Sequence, residues 1–184
     1  MDIMGPFPKT TNGNRYILVV GEYFTKWTEA YPMPNQEAKT VAEIFVREFV
    51  ARYGAPREIH TDQGRNFEAT MMQEVYTLLG IKKTRTTAFR PQSDGFVECH
   101  NKTVQSMMAP FVNSAQTDWD RVLPIVMSAY RAIPQETTGQ SSNLLMFRRE
   151  INMPIDLIAG LPRQDLEKVY AKVRTKTGHE MQRQ

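Results

Sequence analysis

Apolar and polar positions along this chain follow two periods, and the change from one to the other marks the elements. Tyr16-Ile-Leu-Val-Val20 is a five-residue apolar run rich in β-formers and predicts a buried strand. Ahead of it, Gly5-Pro6-Phe7-Pro8 breaks the chain and Thr11-Asn12-Gly13-Asn14 reads as a hairpin turn, so Asp2 opens a first strand segment. Trp27 to Tyr31 predicts a third strand, stopped by Pro32 and Pro34. The period then lengthens. Ala38, Val41, Ala42, Phe45 and Phe49 recur at helical spacing and predict an amphipathic helix over 37–52, closed by Tyr53-Gly54-Ala55-Pro56. Glu58–Thr61 is a short strand. Phe67, Met71, Val75 and Leu78 predict the next helix, stopped by Gly80, and residues 81–86 return as a strand.

Thr87 to Gly95 reads as a loop. A helix follows from Phe96, with Val97, Val104, Met108 and Phe111 on one side and a kink or break at Pro110. Asp118 to Ile133 is a further helix with Trp119, Val122, Val126, Tyr130 and Ile133 inward. After a loop at 134–141, Leu144–Phe147 reads as a short helix and Pro154–Gly160 as an ordered extension. Strands joined directly pair antiparallel, and strands joined through helices tend to run parallel. The order therefore predicts an α/β fold: a mixed five-stranded sheet flanked by helices on both faces. The expected organisation is a core over 1–134, a segment packing on it over 135–160, and a polar linker or tail over 161–184.

Composition narrows the class. No apolar run approaches the roughly 18 residues that a membrane span needs, so no membrane partner is expected. The first ten residues lack the basic-then-apolar order of a secretory signal. The single cysteine, Cys99, excludes an intramolecular disulfide and reads as a free thiol in a reducing compartment. His60, His100 and His179 lack zinc-ligand spacing. A net charge of +3 permits nucleic-acid binding without arguing for it. Trp27 and Trp119 sit on apolar periods and read as core, and His60 reads as a hydrogen-bonded strand histidine.

Three acids stand out by position. Asp2 opens the first strand, Asp62 ends the strand Glu58–Thr61, and Glu98 lies in the first turns of the helix from Phe96. Acids at two strand ends and on an adjoining helix can converge on a pair of divalent cations, the arrangement that serves in-line phosphoryl transfer. Magnesium is hard and prefers carboxylate oxygen. Each acid taken alone is more often a surface charge or a cap. On the same helix, Glu98, Asn101, Lys102 and Gln105 share one face, an acid, an amide, a cation and an amide in line. Such a face suits a metal at one end and a DNA backbone along the rest, with Lys102 the best candidate for a phosphate contact; the bland alternative is a solvated polar face. Gln92, Ser93 and Asp94, in the loop before it, would clamp a DNA end.

Several motifs in register add a resemblance. Asp2-Ile-Met-Gly-Pro-Phe-Pro8, Arg15-Tyr-Ile-Leu-Val-Val20, Phe24-Thr-Lys-Trp27, Arg52-Tyr-Gly-Ala-Pro56, His60-Thr-Asp-Gln-Gly-Arg-Asn-Phe67 and Pro91-Gln-Ser-Asp-Gly-Phe-Val-Glu98 stand in this order, with thirty-five residues between Asp62 and Glu98. They resemble the integrase catalytic core of gypsy-type LTR retrotransposons, and Met146–Glu150 with Pro154–Leu157 resembles the segment after that core. The resemblance covers roughly residues 2–160. It implies an RNase H-like fold, with Asp2, Asp62 and Glu98 as catalytic residues and as ligands of two Mg²⁺ or Mn²⁺ ions. It also implies two reactions, trimming of the element's DNA 3′ ends and strand transfer into target DNA. The implied partners are double-stranded DNA and further copies of the chain, a dimer or higher. The implied location is the nucleus, or a cytoplasmic virus-like particle before import.

The chain departs from the family pattern at Glu22, where an aspartate is usual, at Arg90, in place of a histidine, and at Cys99, in place of an arginine that would contact DNA. Only Met1 precedes Asp2, so a frayed end is expected to hold that acid loosely. The expectation is a fragment, or a decayed or host-adopted copy, which leaves a competing reading: a relic that binds DNA or dimerises without catalysis. A ribonuclease H cutting RNA–DNA hybrids shares fold and metals, but the segment Met146–Leu157 argues against it.

Overall fold

A computed structural model describes residues 1–85 and 101–152. They fall into two compact units, one of Met1–Glu22 with Thr28–Tyr130, the other of Tyr23–Trp27 with the described residues from Arg131 on. The expected loop at 87–95, extension at 154–160 and tail at 161–184 lie outside the described residues.

All five strands form in the first unit. β1 (Asp2–Met4), β2 (Tyr16–Gly21) and β3 (Thr28–Met33) pair antiparallel in that order, with Asp2 opposite Val19 and Leu18 opposite Tyr31. β4 (Glu58–Thr61) and β5 (Lys82–Arg85) pair parallel. The two ladders meet where the Met1 amine donates to the His60 carbonyl at 2.8 Å, which sets the start of β1 beside the end of β4. β3 runs through Pro32, which stands opposite Ile17, instead of stopping there. Proline lacks only the N–H, and on an edge strand that donor need not serve the ladder.

β2 explains the layering. Its side chains alternate across the sheet, yet Ile17, Leu18, Val19 and Val20 are all buried. Leu18 and Val20 join a core with Val41, Phe45, Phe49, Phe67, Met72 and Tyr76. Ile17 and Val19 join another with Val104, Met108, Trp119, Leu123 and Met127. A strand covered on both faces needs a continuous apolar run, and each such burial contributes roughly 1.5–3 kcal/mol.

On the first face lies α1, which runs as Ala38–Ile44, a π-helical Phe45–Val50 and Ala51–Tyr53. Phe45 and Phe49 stack at 5.8 Å on its inner side. The predicted helix after it is split. α2 (Arg65–Glu68) and α3 (Thr70–Leu78) are separated by Ala69 in an extended conformation. That break resets the helical phase. Met72 and Tyr76 turn inward, whereas Met71 and Leu78, expected inward, are exposed.

On the other face lie α4 (residues 101–108) and α5 (Trp119–Ala132). α4 ends before Pro110, so Phe111 falls past its last turn and is exposed instead of continuing the apolar side. Ile133, expected inward, follows the end of α5 and is also exposed. Trp119 is core, as expected, and its indole N–H donates to the Pro8 carbonyl at 2.8 Å. Beside it, the buried Asp120 carboxylate gathers the β1–β2 connection: Thr10 Oγ1, Asn12 Nδ2 and Asn14 Nδ2 all donate to its Oδ2 at 2.7–3.0 Å. Burial pushes Asp120 up, but the bonds from Asn14, Thr10 and Asn12 outweigh it and hold the carboxyl below its ordinary value.

In the second unit, Trp27 meets Phe147 edge-on at 5.0 Å and lies under the Arg131 guanidinium at 4.6 Å. α6 (Ser142–Phe147) is capped by Ser141, whose hydroxyl accepts from the Leu144 N–H at 3.0 Å. Asn143 is 1% exposed, and neither polar atom of its side chain has a partner among the described residues.

Candidate active site

Asp2 opens β1 and is half-buried. Its backbone is paired opposite Val19, and its carboxylate Oδ2 accepts a 2.6 Å hydrogen bond from Nδ2 of Asn101. The acid expected to be loosely held is thus tied at backbone and side chain. Asn101 comes from α4, ninety-nine residues along the chain, and its Oδ1 is buried and accepts no hydrogen bond from the described residues.

Asp62 follows the last residue of β4 and is exposed. The preceding Thr61 is buried and donates its hydroxyl to the Asp62 carbonyl at 2.8 Å. The Gly64 N–H donates to Asp62 Oδ1 at 3.0 Å, closing a turn in which side chain replaces backbone. A Cβ at Gly64 would lie 2.9 Å from that oxygen, so only glycine allows the carboxylate this position. The Met1 amine is drawn down to about 6 by burial, while the negative charges of Asp2 and Asp62 both pull it back up.

The surroundings are braced. His60 Nδ1 lies 3.2 Å from Thr84 Oγ1 across the β4–β5 pair, the strand histidine expected. Lys83, on β5, is buried against α2, where it donates to the Phe67 carbonyl at 3.0 Å and pairs with Glu68. That pins the helix that begins immediately after the Asp62 turn.

Of the other residues picked out by pattern, Lys102 and Gln105 are exposed on α4. Glu98, Gln92, Ser93 and Asp94, with Arg90 and Cys99, lie outside the described residues. Glu22 is exposed just past β2. Two functional details were missed by pattern reading. Gly64 was available as the Asp-x-Gly spacing of a side-chain turn. The bond from Asn101 to Asp2 left no local signal.

Among the described residues no three His, Cys, Asp or Glu side chains gather as a metal-binding group. Asp2 and Asp62 nonetheless offer only carboxylate oxygen, the donor chemistry that suits a hard divalent cation. No helix among them is long and apolar enough to cross a membrane.

Comparison with known proteins gives a consistent result. Residues 1–91 match the family model described as integrase core domain. The chain is 29% identical over 154 residues to the retrovirus-related Pol polyprotein from transposon 412 of Drosophila melanogaster, covering 84% of this chain and 12% of that one. In structure it is similar to the catalytic core domain of BIV integrase, with TM-score 0.61, 21% identity, and coverage of 80% of this chain and 92% of that one. It is also similar to the HTLV-2 integrase catalytic core domain in complex with magnesium, in a trimeric form, with TM-score 0.58, 16% identity, and coverage of 69% and 81%. The fold is RNase H-like, as expected.

Proposed function

Because this chain belongs to the integrase core domain family, we propose that it trims the 3′ ends of an element's DNA and joins them to target DNA in a metal-dependent reaction. The observation that carries the reading is the pair Asp2 and Asp62 at strand ends that the Met1–His60 hydrogen bond sets side by side. Their oxygen-only chemistry fits two Mg²⁺ or Mn²⁺ ions, with Glu98 as the third ligand. Bound there, the ions would activate the attacking oxygen and stabilise the leaving one. The HTLV-2 core, a complex with magnesium, supports the same class of ion.

The protein's own part is to hold and orient. The Asp62 carboxylate is kept in place by the Gly64 N–H, and the Asp2 backbone by its pairing opposite Val19. Exposed Lys102 and Gln105 lie on α4, the helix that also bears Asn101, where they would meet the DNA backbone. Gln92, Ser93 and Asp94 would clamp the DNA end. Joining two ends calls for more than one copy, so the working form is a homo-oligomer on double-stranded DNA, and the trimeric HTLV-2 core lends support. Residues 1–134 would serve as the core, 135–160 as the segment packing on it and 161–184 as linker. The place of action would be the nucleus, or a cytoplasmic virus-like particle before import.

The test is strand transfer on short duplexes with Mn²⁺. Asp62→Asn and Glu98→Gln should each abolish joining, and activity surviving both refutes the assignment. DNA retention with no metal-dependent cleavage by the wild type would favour the relic. Preference for RNA–DNA hybrids over duplex DNA would favour a ribonuclease.

A further inference from the structure

We infer that Asn101 is a positioning residue for Asp2, holding one carboxylate oxygen so that the other stays available to a divalent cation. This deepens the reading of Asp2 and Asp62 as ligands and rests on it. The pattern along α4 sets Asn101 beside Lys102 and Gln105 as a contact for DNA. Its amide is already engaged elsewhere. Nδ2 donates to Asp2 Oδ2 at 2.6 Å, a hydrogen bond to a charged acceptor. The amide can face Asp2 in one sense only, because turning it over would set Oδ1, an acceptor, against a carboxylate. Oδ1 is buried and accepts no hydrogen bond from the described residues, and as an acceptor it has no proton to give a phosphate.

The need for such a tether follows from the strand. β1 pairs the Asp2 backbone opposite Val19, and that pairing does not set the direction of its side chain. A carboxylate there turns freely about its side-chain bonds unless something outside the strand holds it. Asn101 does so from a helix whose Val104 and Met108 are buried against β2 residues Ile17 and Val19. The packing of α4 on the sheet thereby fixes the direction of the Asp2 carboxylate. Loss of the tether leaves the ligand in place but makes each binding event order it anew.

Mn²⁺ titrated into the full chain, followed by calorimetry with circular dichroism as the fold control, tests this. Asn101→Leu, close in shape but without the donor, should weaken Mn²⁺ binding about tenfold, the scale of one hydrogen bond to a charged group. The Mn²⁺ concentration for half-maximal strand transfer should rise by the same factor, with the rate at saturating Mn²⁺ within a few fold of wild type. Asn101→Gln, which keeps the amide on a longer stem, should recover part of the loss, and it decides the matter if the leucine variant does not fold. Wild-type Mn²⁺ affinity in Asn101→Leu, with DNA affinity lost instead, overturns the inference and returns Asn101 to the DNA face. Wild-type protein that binds no Mn²⁺, or whose binding ignores Asp62→Asn, sinks the metal reading itself. That outcome is separable, because Asp62 and Asn101 share no hydrogen bond.

Discussion

Gly64→Ala separates stability from function. The backbone at Gly64 has φ −57° and ψ 139°, which alanine adopts without strain. Alanine restricts the unfolded chain and so contributes about 0.4–1 kcal/mol toward folding. The new Cβ would stand 2.9 Å from Asp62 Oδ1, so the carboxylate must retreat by roughly 0.5 Å to reach ordinary contact distance. The bond from the Gly64 N–H then lengthens beyond its present 3.0 Å. Losing it at an exposed position costs about 0.5–1.5 kcal/mol. The two effects nearly cancel, and Tm should move by no more than about 4 °C. Function should not be spared. A ligand displaced on the ångström scale costs up to about a hundredfold in rate, and here a tenfold or larger loss is expected. The assay pairs thermal melting with Mn²⁺-dependent strand transfer on one preparation. Full activity in Gly64→Ala would refute the claim that the turn sets the Asp62 carboxylate. A large drop in Tm alongside lost activity would make the effect structural.

Further outcomes follow from the buried polar groups. Asp120→Ala strips the shared acceptor from Thr10, Asn12 and Asn14; it should cost about 2–3 kcal/mol, read as a lower urea midpoint with unchanged m-value. The Asp120 carboxyl titrates lower in the folded protein than in the unfolded chain. Its stabilisation is therefore fully present above the ordinary carboxylate value of about 4 and is lost as pH falls through the folded value. Acid unfolding of Asp120→Ala should accordingly be flatter with pH in that window, and identical profiles for variant and wild type would count against it. Asn143→Leu removes two unpartnered polar atoms from a position 1% exposed. It should leave stability unchanged or raise it by about 1–2 kcal/mol in chemical denaturation, and a clear loss would mean the amide is satisfied.

Local pattern carried the element types a long way. The apolar run Tyr16–Val20 announced a strand buried on both sides, and the spacing of Val41, Phe45 and Phe49 announced the inner face of α1. Both follow from periods that a few neighbouring residues encode, because adjacent backbone geometry sets where each side chain points. The positions of Asp2 and Asp62 at strand ends were legible for the same reason. Elsewhere the local rule failed in a definite way. The extended Ala69 shifts the phase of α3, so Met72 and Tyr76 replace Met71 and Leu78 in the core. Pro32 fits within β3 because that strand lies at a sheet edge, a fact of neighbours. Tertiary structure alone decided that Asn101 serves Asp2 and that Asp120 gathers Thr10, Asn12 and Asn14. These bonds join residues about a hundred positions apart. Their partners are chosen by how helices pack on the sheet, and nothing within one turn or one strand of either residue specifies that choice.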